Sequence, residues 1–419
     1  MAALGEVQPG ELSFFAPRGY QRHDCGYCKS ADGSASYYAS STSVRVEEYE
    51  ELLNRGWRRS GTLYYKPNLE RSCCPHYTMR LEASSYKPRR DQKKALNRWN
   101  KFVLGQEYIR SAARLCPKTR EEKKYRRNTF DLRQRVHEAE YSQLKRPVDP
   151  KTKRPIEPAH KFEVNIEADS LSLMKYNIFL NYQMTVHKDP QERWKQSDYK
   201  RFLCSGIKRK TVRQGFKEQK LGRLPLSRLT YHSYDPQYEH WEIGKLSAMR
   251  EIALAIEGHH QYYYMGYYIH SCPKMRYKGA FRPQYLLDPE SLSWDPLDSY
   301  VEKLNKRRYV SLSRDRKVGE ERANESRDDG FILPGEEEMS LFDIHMPGVL
   351  TLEEVQAQID LDHWRLLVHN TLVEMTDLVA WEKSNIKEPH AIKGIVAELA
   401  AALGPKVVKN SAVVLFASG

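Results

Sequence analysis

No stretch of the 419 residues approaches the roughly 18 consecutive apolar positions that a membrane-spanning helix needs. The opening residues, Met1 to Gly10, contain Glu6 and Pro9 but no basic residue, so they lack the charged start of a secretory signal. Several nucleotide-binding and hydrolytic motifs are also missing: a GxxxxGKS/T phosphate loop, a GxGxxG turn between strand and helix, HExxH and a GxSxG elbow. ATP hydrolysis, dinucleotide chemistry, zinc proteolysis and serine nucleophilic chemistry therefore have no sequence support. Acidic charge is in deficit as well, with 55 Asp and Glu against 68 Lys and Arg, a net charge of +13. Such an excess favours an anionic partner, for which nucleic acid and an anionic membrane surface are the usual choices. The chain is long enough for two or three domains, and its 29% of charged residues implies a large solvated surface. Cysteine is scarce, with seven in the chain. Without a leader or a span, a cytosolic or nuclear setting is expected, where paired thiols more often hold metal than form disulfides.

Four of the seven cysteines come in two pairs. Cys25 and Cys28 form a CxxC turn within His23-Asp24-Cys25-Gly26-Tyr27-Cys28, and Cys73 and Cys74 are adjacent in Arg71-Ser72-Cys73-Cys74-Pro75-His76-Tyr77. A CxxC turn presents two sulfurs to one ion, and a second pair completes a four-sulfur site of the kind that zinc or an iron-sulfur cluster favours. His23 and His76 are candidate replacement ligands. Cys116, Cys204 and Cys272 stand alone and read as small buried hydrophobes.

In chain order, residues 1–19 read as a lead-in and 20–85 as a Cys-rich domain. Within the latter, Val46, Tyr49, Leu52 and Leu53 predict a helix ended by Gly56, and Thr62 to Tyr65 a strand. Residues 86–160 read as a basic helix over Asp91–Leu104, striped by Ala95, Trp99, Phe102 and Val103, followed by a proline-punctuated linker. A second domain over 161–304 is expected to open with a strand at Phe162–Ile166. It continues with a helix near Tyr176–Leu180, a long helix from Gly244 to Gly258 and an aromatic strand at Tyr262–His270, an α/β layer order. Residues 305–340 read as a charged flexible excursion. The segment 341–419 is expected to be helical over 352–359, 363–379 and 391–403 and to pack on the second domain. Asp198, His232, Asp235 and Glu251 are isolated acids and bases that read as structural before catalytic.

Several motifs together carry a resemblance. They are Cys25-Gly26-Tyr27-Cys28, Arg55-Gly56-Trp57-Arg58-Arg59-Ser60-Gly61, Tyr65-Lys66-Pro67, Cys73-Cys74-Pro75, Gly244 to Glu251 and Tyr263 to Gly279. The set resembles the eukaryotic arginyl-tRNA:protein transferases in both their amino-terminal and carboxy-terminal parts. The resemblance implies an α/β (α+β) chain with an acetyltransferase-like catalytic domain. It also implies transfer of arginine from arginyl-tRNA to the α-amine of proteins beginning with Asp, Glu or oxidised Cys, which marks them for N-degron degradation in cytoplasm and nucleus. An aminoacyl ester is already activated, so aminolysis needs a free amine, positioning and a stabilised oxyanion rather than ATP. On this reading Tyr264, Tyr268, Lys274, Tyr277 and Lys278 line the substrate cleft. Lys245, Arg250, Lys93, Lys94 and Arg98 meet the tRNA, and Cys25, Cys28, Cys73 and Cys74 hold an iron-sulfur cluster or zinc, apart from the chemistry. The sequence departs from the family pattern near 222–230, where a central hairpin is missing and the sheet is expected to be incomplete. The alternative implied is a catalytically dead form that binds tRNA or acidic N-termini.

Overall fold

The computed structural model describes residues 12–165, 167, 169–207, 212–214, 217–219, 236–319, 332, 335, 338–369 and 371–415. The shortened stretch at 222–230, together with His232 and Asp235, lies outside the described residues.

The first part of the chain runs β1 (Ser13–His23), β2 (Ser34–Ser40), α1 (Val46–Asn54), β3 (Arg58–Ser60), β4 (Leu63–Pro67) and β5 (Tyr77–Glu82). Four helices follow: α2 (Arg90–Leu104), α3 (Gln106–Leu115), α4 (Arg120–Asn128) and α5 (Leu132–His137). Next come α6 (Leu173–Tyr182), α7 (Gln196–Leu203), the short strands β6 (Val212–Gln214) and β7 (Lys217–Gln219), α8 (Ile243–Glu257), β8 (Tyr262–Tyr268) and α9 (Pro273–Arg276). The remaining strands are β9 (Gln284–Leu287), β10 (Trp294–Pro296), β11 (Arg365–Val368), β12 (Thr371–Glu374) and β13 (Ser411–Val413).

Two main sheets result. One has the order β12-β11-β13-β1-β2-β4-β3, and the other β10-β9-β5-β8. Strand β1 shows that the lead-in ends earlier than expected: Leu12 and Phe15 are buried, and Ser13–Phe15 pair in parallel with Ser411–Val413. The chain's two ends thus share one sheet. Helix Ile392–Leu403 packs on this sheet and not on the 161–304 segment as expected, because nine of its twelve residues are buried and its alanines allow close approach. Trp57, fully buried, donates its indole N–H to Ala402 O at 2.9 Å and locks that helix to the chain after α1. The second sheet likewise joins distant segments, since β5 sits between β9 and β8 and shares their core with α8.

Several local expectations change. Within 363–379 the strands Arg365–Val368 and Thr371–Glu374 pair where a helix was expected: Leu366 lies opposite Val373, and β11 adds to β13, so sheet pairing overrides an ambiguous apolar period. Residues 162–165 carry no strand; Phe162 instead closes on Trp99 with ring centroids 5.4 Å apart. The proline-rich segment is no free linker either. Ala159 and His160 donate backbone N–H bonds to Leu104 and Val103, both at 3.0 Å, and His160 stacks on Phe102. Trp99 and Phe102 are too large to leave exposed, and covering them turns the segment into a strap. Within the charged excursion, Leu312–Val318 is a helix capped by Ser311.

One turn positions α7. Gly61 has φ +64°, and a Cβ there would stand 1.9 Å from Arg201 O. Arg59 reaches across the same contact to Ser205 O at 2.9 Å. Gly61→Ala combines a left-handed backbone with a backbone clash, so a cost of about 2–4 kcal/mol is expected. Chemical denaturation should show the loss, and limited proteolysis should cut near 196–207 first. An unchanged midpoint and cleavage pattern would refute the docking role.

Candidate functional site

The two cysteine pairs meet as expected. Cys25 N–H donates to Ser30 O at 2.9 Å and Lys29 N–H to Cys25 O at 3.0 Å, folding the CxxC turn. Cys73 N–H donates to Gly33 O at 2.8 Å, which docks the second pair. Gly33 is required by proximity: a Cβ there would lie 2.7 Å from Cys73 Sγ. All four sulfurs lie within 4.8 Å of one another, with Cys28 Sγ and Cys73 Sγ 3.3 Å apart. His23 and His76 are not in the group; His23 packs edge-on against Tyr38, and His76 lies between Tyr27 and Tyr267.

Such crowding perturbs the thiols. Burial pushes Cys73 well above the ordinary thiol range and Cys74 to about 11, and neighbouring thiolates add to both shifts. For Cys28 burial acts upward too, but the Ser30 backbone and the neighbouring thiols hydrogen-bond its thiolate and hold it at about 7. Four thiolates this close repel one another unless a cation sits among them. The donor set therefore fits a metal. With sulfur about 2.3 Å from a tetrahedral zinc, ligand sulfurs stand roughly 3.8 Å apart, a separation compatible with the spacing here.

The centre is not apart from the predicted cleft. Cys25 and Cys74 pack in one cluster with Tyr267 and Ile269, with Cys272 against its edge, and Ser271 Oγ donates to Cys74 Sγ at 3.6 Å. Cys272 is thus part of the packing around the centre, whereas Cys116 is exposed rather than a buried filler.

A bulge on β8 sorts the residues expected to line the cleft. Thr78 pairs with Tyr267 and Arg80 with Tyr264, and the register shifts between Met79 and Arg80. Since cross-strand partners share a face, the extra residue brings Tyr264 and Tyr267 to the same side, which plain alternation would forbid. Gly266 at φ +80° accommodates the kink. That side faces the seven-stranded sheet: Tyr264 Oη donates to Asn54 Oδ1 at 2.8 Å, and Arg58 lies over the Tyr267 ring at 5.0 Å and donates to Gly266 O at 3.2 Å. Lys278 joins it, donating from Nζ to Tyr267 O at 3.2 Å. Burial, with the nearby Arg58 charge, holds Lys278 down at about 8.

The other predicted cleft residues lie elsewhere. Tyr268 points into the opposite core, where Oη is 2.8 Å from His270 Nδ1. Lys274 is exposed on α9; Tyr277 is also exposed and lies near the start of α8, where a Cβ on Gly244 would be 3.6 Å from its Oη. Glu251 accepts from buried Tyr263 and from Ser247 at 3.0 Å. Arg58 and Tyr267 were not singled out from sequence, although both lie within the motifs that carry the resemblance.

The residues expected to meet tRNA divide into two sets. Lys245 pairs with Asp91 at 3.1 Å and with Glu242, and Arg250 with Glu140, so both brace α8 against neighbouring elements. Lys94 and Arg98 flank a shallow depression on α2 with Asn97 and Lys101, Arg98 also bonding Glu242 at 3.2 Å, and Lys93 lies over Phe130. The most exposed cationic element is α4, which buries no residue and presents Lys123, Lys124 and Arg127.

Two family models match the chain: residues 23–94 match the N terminus, and residues 174–288 the C terminus, of arginine-tRNA-protein transferase. Arginyl-tRNA–protein transferase 1 of Arabidopsis thaliana is 25% identical over 472 residues, covering 70% of this chain and 74% of its own. The protein of the same name from Drosophila melanogaster is 25% identical, over 73% of this chain and 86% of its own. An aspartate/glutamate leucyltransferase of Pseudomonas savastanoi is 26% identical, over 66% of this chain and 94% of its own. The four-thiol centre lies in the first matched segment and the bulged strand β8 in the second, and both models describe an aminoacyltransferase. The chain is similar to the arginine-tRNA-protein transferases in both of these segments. No helix among the described residues is long and apolar enough to cross a membrane.

Proposed function

We propose that this chain moves arginine from arginyl-tRNA to the α-amine of proteins that begin with Asp, Glu or oxidised Cys, and so marks them for N-degron degradation in cytoplasm and nucleus. The observation that carries the reading is Lys278. It is a lysine held at about 8, close to the bulge of β8, inside the segment matched to the family's C terminus. The attacking α-amine must shed a proton to form the amide, and a neutral lysine beside the cleft is a suitable acceptor. Tyr264, fixed by Asn54, and Arg58 line the same side and orient the reactants. The antiparallel sheet β10-β9-β5-β8 flanked by α8 is in keeping with an acetyltransferase-like catalytic unit. Cys25, Cys28, Cys73 and Cys74 would hold the metal. A single zinc ion suits the sulfur spacing as found, whereas a multi-iron cluster distributes its cysteines over several irons and needs a wider cage. Bound there, the metal supplies cross-linking of the two cysteine segments, and a cluster would add sensitivity to oxidation.

Purified chain with arginyl-tRNA and an Asp-headed peptide is expected to form the arginylated peptide, and not with an Ala-headed one. Binding of charged tRNA without transfer would select the catalytically dead form instead. The Arabidopsis alignment spans more positions than this chain has residues while covering 70% of it, so the relative carries stretches with no counterpart here.

The basic arm over α3 and α4 lies between the two family matches and is the surface best suited to tRNA phosphates. Changing Lys123, Lys124 and Arg127 to Gln should weaken tRNA binding and reduce the slope of log affinity against log salt by roughly one for each phosphate no longer neutralised. An unchanged slope would remove the arm from the interface.

A further inference from the structure

We propose that the cavity between the two sheets at Lys66 is a binding site for a small, singly charged anion, a carboxylate or a halide. Its walls come from the end of α1, from β4 and from β5, and Arg55, Gly56, Lys66, His76, Thr78 and Pro347 are among the residues lining it. The cavity measures about 20 Å³, enough for one water-sized or halide-sized species.

Three nitrogen-bearing side chains line this space; among the described residues no carboxylate bonds to any of them, and only Arg55 feels nearby acidic charge, from Glu51 and Glu354. Lys66 is 3% exposed, and its Nζ donates to the Arg55 carbonyl; among the described residues no carboxylate pairs with it. Among the described residues the Arg55 side chain donates only to carbonyls, of Gly348 and Ala401 at 3.4 Å and of Ala402 at 3.5 Å. His76 is 8% exposed, and neither ring nitrogen has a hydrogen-bond partner among the described residues. A buried cation without a counter-charge is costly, and a buried donor without an acceptor adds to that cost. An anion in the cavity relieves both at once.

Glycine keeps the approach open. A Cβ on Gly348 would stand 3.4 Å from Lys66 Nζ and one on Gly56 3.7 Å away, and both residues have positive φ, +66° and +83°. Burial, reinforced by the Arg55 charge, holds Lys66 well below the usual lysine range, and an anion beside Nζ would favour the ammonium form.

The site lies close to the proposed chemistry. The His76 ring lies tilted against Tyr267 with centroids 5.1 Å apart, and the Tyr267 carbonyl holds Lys278. Two sources share the required ligand chemistry: a free small anion, or the side-chain carboxylate of an acidic residue at the acceptor's N-terminus. The second source rests on the function proposed above.

Crystals of the metal-loaded full chain soaked in sodium bromide should show an anomalous peak beside Lys66 Nζ, and chloride NMR should show line broadening that Lys66→Met removes. Absence of the peak, or broadening equal in the wild type and in Lys66→Met, overturns the site. Displacement of bromide by an Asp-headed but not an Ala-headed peptide assigns the site to the acceptor; displacement by formate alone assigns it to free anion. Arginine transfer is measured on the same preparation. Transfer with no bromide site defeats this inference and leaves the function intact, and a bromide site without transfer does the reverse.

Discussion

Cys74→Ser is expected to empty the four-sulfur centre and to destabilise the whole cleft, a larger structural effect than that of Gly61→Ala or Cys28→Ser. Cys74 is buried, accepts a hydrogen bond from Ser271 and packs with Tyr267 and Ile269, so it belongs both to the four-sulfur group and to the exit of β8. A serine hydroxyl is a poor replacement for a thiolate ligand, and metal affinity at such sites is folding free energy. The cost should be on the order of 5 kcal/mol, comparable with the roughly 5–15 kcal/mol that hold a folded domain together. Metal per chain, melting temperature and near-ultraviolet dichroism should fall together. Cys28→Ser, at the exposed corner, should lose metal with a smaller drop in melting temperature. Chelation of the wild type should reproduce the Cys74→Ser dichroism. Full metal content with an unchanged melt in Cys74→Ser would refute the assignment.

The second large effect is catalytic. Lys278→Met is expected to lower kcat/KM by about 10²–10⁴-fold, the range for loss of a positioned base. Lys278→Arg should do the same, because a guanidinium keeps the charge but cannot accept a proton. The pH dependence follows from the depressed value. Below about 8 the lysine is protonated and cannot act as a base, so the wild-type rate should rise with pH and level off above about 8. The variants should retain only the titration of the acceptor amine, near 7.7–8.0. Stability moves in the same direction. The unfolded chain binds the lysine proton up to about its ordinary 10.5 while the folded chain releases it near 8, so this group makes stability rise with pH between those values. Lys278→Met should remove this group's share of that rise, leaving the share of Lys66, which is also held low. A full rate in Lys278→Met would exclude Lys278 as the base, whatever its pKa.

Legibility in the sequence varies with the range of the interactions. Helix α1 and helix α8 were legible to within a residue or so, because apolar residues at helical spacing and flanking glycines are local signals. The basic character of 86–127 was equally plain. The β11–β12 hairpin was missed because its stretch carries apolar residues at spacings that suit a helix as well as a strand, and pairing with β13 decides between them. The strap over Trp99 and Phe102 was missed because prolines among charges look like a linker until two large rings need cover.

The sequence by itself determined the chemistry on offer: four paired thiols, a basic arm and a tyrosine-rich strand followed by lysines, in motifs that belong to one family. Only the tertiary structure decided which of these groups meet. A one-residue bulge at Gly266 turns Tyr264 and Tyr267 to one side and leaves Tyr268 on the other, so two residues that read alike in the sequence lie in different cores. Placing β5 beside β8 brings Cys74 and His76 against Tyr267, across nearly two hundred positions of chain. Register and non-local pairing set those contacts, and neither leaves a mark in any short window of sequence.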